Sequence, residues 1–310
     1  MPTRIVTHRY CFGMAHNDVF GSPTESLAGN SAYFEPLGVH TEGDTTFECF
    51  QPTEHTHGAW GEFQHGSPPA ALLTRALERC EGVAPGMRTT RIAVDLLGAV
   101  PYTELRVRSW VSRPGRQICK VDAELLAEVK GTWRAVASAA AWRMQVHDTD
   151  VITRALERDI PGPEQCPAEG SEITGRGADV PLLQWDGGFI RSIRARCMPD
   201  PDNPEGPMIH WVRTDHPVVS GEEPTTIERL MSVVDTANGI GATLDPKKWA
   251  FMNTDLVVHL HREPTPGWFG ISARGSIGPD GIGMTAGELY DEHGPVGRSV
   301  QTLLVRPQPE

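Results

Sequence analysis

VDLLGAVPYTELRVRSWVSRPG, residues 94–115, and DLVVHLHREPTPGWFGISARGSIGPDG, residues 255–281, open two segments built to one plan. The first runs on through AELL to the alanine-rich AAAW ending at Trp142, and the second through GELY to RSVQTLLV ending at Val305. Each spells a long strand, a Pro-containing turn, a second strand, a Gly turn and two further strands, and each follows an amphipathic helical stretch. A plan stated twice in one chain predicts two copies of a single folded unit, and places where the copies differ show where chemistry was kept or lost.

Working outward, the first copy has two short strands, SAYFEPL and TTFECFQP, followed by a helix after Gly66. Ser67 stands where an N-cap is expected, and Pro68 fills the first helical position, where its missing N–H costs nothing. Leu72, Leu73, Ala76 and Leu77 form the apolar stripe, with Arg75, Glu78 and Arg79 expected on the far side and Gly82 as the stop. RTTRIAVDLL, ELRVRSWVSR, QICKVDAELLAEV and TWRAVASAAAWRM then follow as strands longer than the usual five or six residues. Such lengths, joined by turns like RPGR, suit an antiparallel sheet.

In the second copy Thr225 and Glu228 form a capping box, Asn238-Gly239 supplies a stop, and Ile227, Leu230, Met231 and Val234 recur at helical spacing. Asp235 falls on the margin of that stripe. A carboxylate beside a core costs free energy unless it is bonded or used, so it either turns outward or has a function. Between the copies, residues 147–180 are rich in Pro, Gly and charge and are expected to be a linker, and MPDPDNPEGP at 198–207 is expected to be a loop between two strands. The domain expectation is an N-terminal unit over 1–146 with an irregular lead-in at 1–30, and a C-terminal unit over 181–310. A helix followed by long antiparallel strands, present twice, predicts an α+β protein in which a long sheet wraps a central helix in each half, the halves meeting edge to edge.

Composition narrows the function classes. A net charge of −12 argues against a nucleic-acid partner, because phosphate binding needs a cationic surface. No apolar run approaches the roughly 20 residues that span a bilayer, and MPTRIVTHRYCF lacks the basic-then-apolar order of a signal peptide, so no membrane partner and a cytoplasmic location are expected. The six cysteines are scattered, which suits reduced, buried thiols. His55, His57 and His65 lie close in sequence, as do His259 and His261, but no Cys or carboxylate completes a ligand spacing, and no metal is expected. GIGATLDPKK at 239–248 lacks phosphate-loop spacing, and no G-x-S-x-G marks a serine nucleophile.

HGSPPAALLTRALE at 65–78, NTDLVVHLHREP at 253–264 and GRSVQTLLV at 297–305 resemble the double-hotdog acyl-CoA thioesterases, bacterial type II enzymes with two hotdog folds in one chain. The resemblance extends from about Ala32 to Val305 and implies a double hotdog that hydrolyses acyl-CoA to free acid and coenzyme A. It implies no cofactor beyond the coenzyme A of the substrate. The family's catalytic Asp matches Asp235 and its Gln matches Gln301; where the family has Thr this chain has Asn253, with Thr254 next to it. Neighbouring strand residues face opposite ways, so one of these two can face the site. Thioester hydrolysis needs a held water, a base for its proton and donors for the oxyanion. Asp235 fits the base, and Gln301 with Asn253 or Thr254 fits the water holder. Lys247 and Lys248 are candidates for contact with coenzyme A phosphates. Aligning Asp95 with Asp255 sets Ala140 opposite Gln301 and Arg75 near Asp235, which assigns the chemistry to the second copy. Two alternatives stand beside hydrolysis. A binding module would keep the fold without Asp235 or Gln301, and a hotdog hydratase or dehydratase resembles a family with His five residues after the helical Asp, where this chain has Ile240. A monomer and a homodimer of such double units are both open.

Overall fold

The computed structural model describes residues 32–58, 62–166, 187–246 and 248–308; the lead-in at 1–30 and Lys247 lie outside them. In the first half, strands β1 (Phe34–Glu42) and β2 (Thr45–Pro52) precede helix α1 (Ser67–Glu78), which is followed by β3 (Met87–Leu96), β4 (Leu105–Arg113), β5 (Ile118–Val129) and β6 (Thr132–Gln145). The second half has a short helix α2 (Gly188–Ser192), β7 (Ile193–Met198), β8 (Ile209–Thr214), helices α3 (Thr226–Met231) and α4 (Ala237–Ile240), then β9 (Trp249–Asn253), β10 (Asp255–Leu260), β11 (Phe269–Ile277), β12 (Ile282–Asp291) and β13 (Gly294–Pro307). The loop expected at 198–207 does separate two strands, β7 and β8.

These strands form one sheet rather than two. Its order is β1-β2-β4-β5-β6-β3-β10-β13-β12-β11-β8-β7, with β9 also paired to β13. The six strands on each side of the β3–β10 junction follow the same order outward, so the repeat in the sequence is a repeat in space. At the junction Asp95 opposes Asp255, two residues aligned as equivalents, and the ladder runs on with Ala93 opposite Val257. Continuous backbone hydrogen bonding across this pair is what merges the two expected sheets.

Alternation of buried and exposed positions sets the inner face. In β6 Ala139 and Ala141 are buried and Ala140 points to the outer face, while in β13 Gln301 is fully buried. Leu96 pairs with Ala137, and the ladder that sets Val257 opposite Val300 brings Leu256 beside Gln301, so the first-half counterpart of Gln301 is the buried Ala137 rather than Ala140.

The two helical stretches differ. α1 is continuous, and all of it except Glu78 is buried, with its long side packed on β4, β5 and β6 and against α3. Its N-cap is Gly66, not Ser67. Pro68 and Pro69 have no N–H, and the Ala70 N–H bonds the Gly66 carbonyl, so a hydroxyl at 67 has no donor to cap. In the second half Thr225 Oγ1 does cap α3, accepting from the Glu228 N–H at 3.2 Å, but the helix does not run on as one element. Ser232 donates its hydroxyl to the Glu228 carbonyl at 2.8 Å and Thr236 donates to the Val233 carbonyl at 2.6 Å, with two β-branched valines between them. Hydroxyls that compete for helix carbonyls, beside residues stiff at χ1, favour tighter turns. Val234–Thr236 accordingly form a 3₁₀ turn, and α4 continues through Asn238 and Gly239 to Ile240. The expected stop at Asn238-Gly239 is displaced to Gly241.

Arg75, expected to face away from the core, is buried. Its Nε and Nη2 donate to Glu222 at 2.6 and 2.7 Å, and Nη1 and Nη2 donate to Glu48 at 2.8 and 3.2 Å. Glu48 lies on β2 and Glu222 on the approach to α3, so one guanidinium ties the halves together. Two more features draw the halves together. Phe34 forms a parallel bridge with Val219, and residues 157–166 lie along the second half, where Trp211 donates its indole N–H to the Pro161 carbonyl at 2.9 Å. Among the described residues Cys49, Cys80, Cys119 and Cys166 are free thiols, and Cys11 lies outside them.

Arg75→Leu leaves Glu48 without this cation, while Glu222 keeps Arg79 at 2.6 Å. Chemical denaturation is expected to record a loss of about 1–2 kcal/mol, since both carboxylates are partly open to water that screens the loss.

Candidate active site

Asp235 sits in the 3₁₀ turn between α3 and α4, 5% exposed. Its Oδ1 accepts two amide N–H bonds, from Asn253 Nδ2 at 2.8 Å and from Gln301 Nε2 at 2.9 Å. Burial pushes its pKa up to about 6, and the two amide donors pull back against that rise. The carboxylate expected on the stripe margin has thus turned inward, where hydrogen bonds partly offset its desolvation.

The strands explain why these two amides meet it. Gln301 belongs to the inward set of β13, with Ser299 and Leu303. β9 and β10 together form the counterpart of β3, broken at Thr254: Phe251 and Asn253 point inward before the break, and Leu256 and Val258 after it. The phase change carries Asn253 to Asp235, while Thr254 is exposed and its side chain reaches only the Thr302 carbonyl, at 3.5 Å. Thr254 is therefore not part of the constellation. Lys248 is exposed in the turn before β9, apart from these groups.

The first half supplies the other wall. Gly66 packs on Asp235 so closely that a Cβ there would meet Asp235 Cγ at 2.9 Å. His65 brings Nδ1 to 3.5 Å from Asp235 Oδ2, with its ring stacked on Phe189 of α2 at 4.0 Å. The contact is not an ion pair. Nδ1 accepts the Ser67 N–H at 3.1 Å, which a protonated ring nitrogen cannot do, and burial pushes the His65 pKa down to about 3. His65 is neutral, with its proton on Nε2. The other nearby histidines have separate ring partners, His55 against His216 and His57 against Tyr102. Among the described residues no three His, Cys, Asp or Glu side chains gather as a metal site.

Gln301 Oε1 is buried and has no protein partner among the described residues, so the amide that donates to Asp235 still has an acceptor to offer. One step along the same strand faces, Phe251 and Leu303 join Asn238, Gly241 and Thr285 around a small pocket. Its interior volume is about 10 Å³, room for about one water. Missing from the sequence-based site are His65, which was weighed only as a metal ligand, and Gly66 and Phe189. The signal at hand was the Gly66-Ser67-Pro68-Pro69 helix start, where a small residue opens the backbone to a neighbour.

A long antiparallel sheet bearing a buried carboxylate bonded to two amides, in the second of two like halves, is a hotdog-type arrangement. Family models agree: the acyl-CoA thioesterase N-terminal domain matches residues 53–144 and the C-terminal domain matches residues 163–305. Together they span well over half of the chain, which belongs to this acyl-CoA thioesterase family. No curated protein matches the sequence directly. Among solved structures, a candidate thioesterase II of Thermobifida fusca YX is similar at 17% identity and a TM-score of 0.64, over 86% of this chain and 95% of that one. A conserved hot dog fold protein of Alicyclobacillus acidocaldarius is similar at 14% identity and a TM-score of 0.61, over 88% and 96%. The acyl-CoA thioesterase II TesB2 of Mycobacterium marinum is similar at 13% identity and a TM-score of 0.57, over 88% and 98%. At these identities the likenesses speak to the fold. No helix among the described residues is long and apolar enough to cross a membrane.

Gly66→Ala should push the carboxylate off its amides. Activity is expected to fall about 10²-fold, the usual cost of misplacing a reacting group by about 1 Å, with circular dichroism unchanged.

Proposed function

We propose that the protein hydrolyses acyl-CoA thioesters to free acid and coenzyme A, with Asp235 as the base. The observation that carries this is the buried Asp235 carboxyl held at Oδ1 by Asn253 and Gln301. Two donors fix Oδ1 as an acceptor and leave Oδ2 to take a proton from water, while Gln301 Oε1 can accept that water's second hydrogen. Attack of the water oxygen on the thioester carbonyl carbon forms the tetrahedral intermediate. Collapse expels the coenzyme A thiolate, which takes the proton held by Asp235. The fold we assign to this work is a double hotdog of the α+β class, with α1 and the α3–α4 segment as its two central helices and the chemistry confined to the second unit. Lys248, exposed at the start of β9, is the described candidate for a coenzyme A phosphate contact. The nature of the substrate points to the cytoplasm. Ile282 and Leu304, opposed on β12 and β13, are exposed with Met284 and Val300, and a homodimer would cover this face.

A binding module would have no use for a carboxylate buried at this cost. The hydratase or dehydratase alternative gains one observation: a histidine does face Asp235, from the first half rather than from the helix position at Ile240. Its Nδ1 is already bonded to the Ser67 N–H, which favours a supporting role over proton abstraction from substrate carbon. Incubation with 3-hydroxyacyl-CoA should give rise to no enoyl-thioester absorbance.

Asp235→Asn is expected to lower thiol release from acyl-CoA by about 10²- to 10⁴-fold; wild-type turnover in this variant would sink the mechanism. For the wild type, kcat/KM should rise with pH through about 6 as Asp235 ionises. Because the folded pKa lies above the unfolded one, the carboxyl's contribution to stability is complete below about 4 and is lost as pH rises through about 6. At pH 8 the Asn variant should accordingly be more stable than wild type, by up to about 3 kcal/mol, in thermal or chemical unfolding.

A further inference from the structure

The carboxyl of Asp235 is surrounded unevenly. Oδ1 meets two donors, which favour the ionised form, whereas Oδ2 faces His65 Nδ1, an acceptor. A carboxylate and a ring lone pair at 3.5 Å do not bond to each other. Once Oδ2 carries a proton it becomes a donor, and Nδ1 shares its one lone pair between that proton and the Ser67 N–H, so that a long contact in the resting enzyme can tighten as the proton arrives. We propose that His65 is a positioning residue that receives the hydrogen bond of protonated Asp235, so that the proton taken from water is held on Oδ2 until the thiolate leaves. This rests on the hydrolytic reading above.

The parts fit the role. The His65 ring is fixed by its stack on Phe189, and the Ser67 N–H holds Nδ1 in its unprotonated state. Proton bookkeeping closes: the O–H bond of water breaks as its oxygen bonds the carbonyl carbon, the proton rests on Oδ2 with Nδ1 as acceptor, the C–S bond breaks, and the proton passes to sulfur. His65 is neither protonated nor consumed. No charged side chain contributes to the shift of the Asp235 pKa, so the groups facing the carboxyl are neutral His65 from the first half, and the amides of Asn253 on β9 and Gln301 on β13. A histidine that merely filled space would leave the proton affinity of Asp235 unchanged.

Two substitutions separate these cases. His65→Phe keeps the stack on Phe189 and removes the acceptor, whereas His65→Asn keeps an acceptor near the place of Nδ1. Losing a hydrogen bond to the neutral form lowers the pKa of an acid, so in the Phe variant the acid limb of kcat should move down by about one pH unit, and kcat should fall about tenfold or more with KM little changed. The Asn variant should keep the wild-type limb. Carboxyl carbon NMR of Asp235, recorded without substrate, should show the same displacement in the Phe variant and none in the Asn variant. An unmoved Asp235 titration in His65→Phe, or equal displacement in both variants, overturns the proposal. Absence of thiol release by the wild type would overturn hydrolysis instead, and the NMR displacement would still decide whether His65 receives the proton of Asp235.

Discussion

The pairing of β3 with β10 is the interaction on which everything else depends. It is a short antiparallel ladder, from Asp95 opposite Asp255 to Arg91 opposite His259, yet it merges two six-strand arrays into one sheet. It also brings the start of α1 against the turn after α3. The carboxyl of Asp235 comes from one half, and the backbone and ring that press on it, Gly66 and His65, come from the other. Neither half alone encloses the group. The buried Arg75, with one carboxylate from each half, restrains the same approach from farther along α1.

Within that shared frame the copies have taken different local solutions. The first keeps a continuous helix, and its β3 runs as one strand with a bulge between Thr89 and Arg91 in its pairing to β6. The second breaks both, the helix at Ser232–Val233 and the strand at Thr254, and the two breaks meet at the site. Each break costs regular hydrogen bonds, and each aims a polar side chain that an ideal element would have pointed elsewhere. Asp235 turns into the core because the helix tightens ahead of it; Asn253 reaches Asp235 because the strand loses phase after it. At the inner-face positions corresponding to Gln301 the first half has only alanine, and its helix has an arginine engaged in holding the structure together. Irregular backbone at such a place is a common means of re-aiming a side chain.

Much of this was legible in the sequence, for identifiable reasons. Long strands announce themselves by length and by the turns between them, and the repeat announced two like halves. Asp235 could be singled out because a carboxylate next to Val234 is anomalous on a helical stripe, and Gln301 because RSVQTLLV resembles the last strand of the acyl-CoA thioesterases. What could not be read depends on contacts distant in sequence or on phase. Choosing between Asn253 and Thr254 required knowing that the strand breaks between them and Asp255. Ala140 was misassigned because the spacing from Asp95 or Asp255 to the last strand depends on turn lengths that alternation alone does not reveal. His65 was hidden because its partner lies 170 residues away in the other half, and Arg75 because charged residues on an amphipathic helix normally face water. The helix break came from two hydroxyls returning to their own carbonyls, a competition that tertiary packing decides.

The face-to-face placement of Asp95 and Asp255 has an evolutionary side. In a symmetric dimer of single units every substitution is made twice, and a residue near the axis must tolerate its own image. Joining both units in one polypeptide removes that condition. The tether supplies the second unit at a fixed effective concentration, so assembly no longer depends on how much protein the cell makes. Each unit is then free to drift, one toward shaping and clasping, the other toward reactivity, and a histidine can face an aspartate without a second histidine having to do the same.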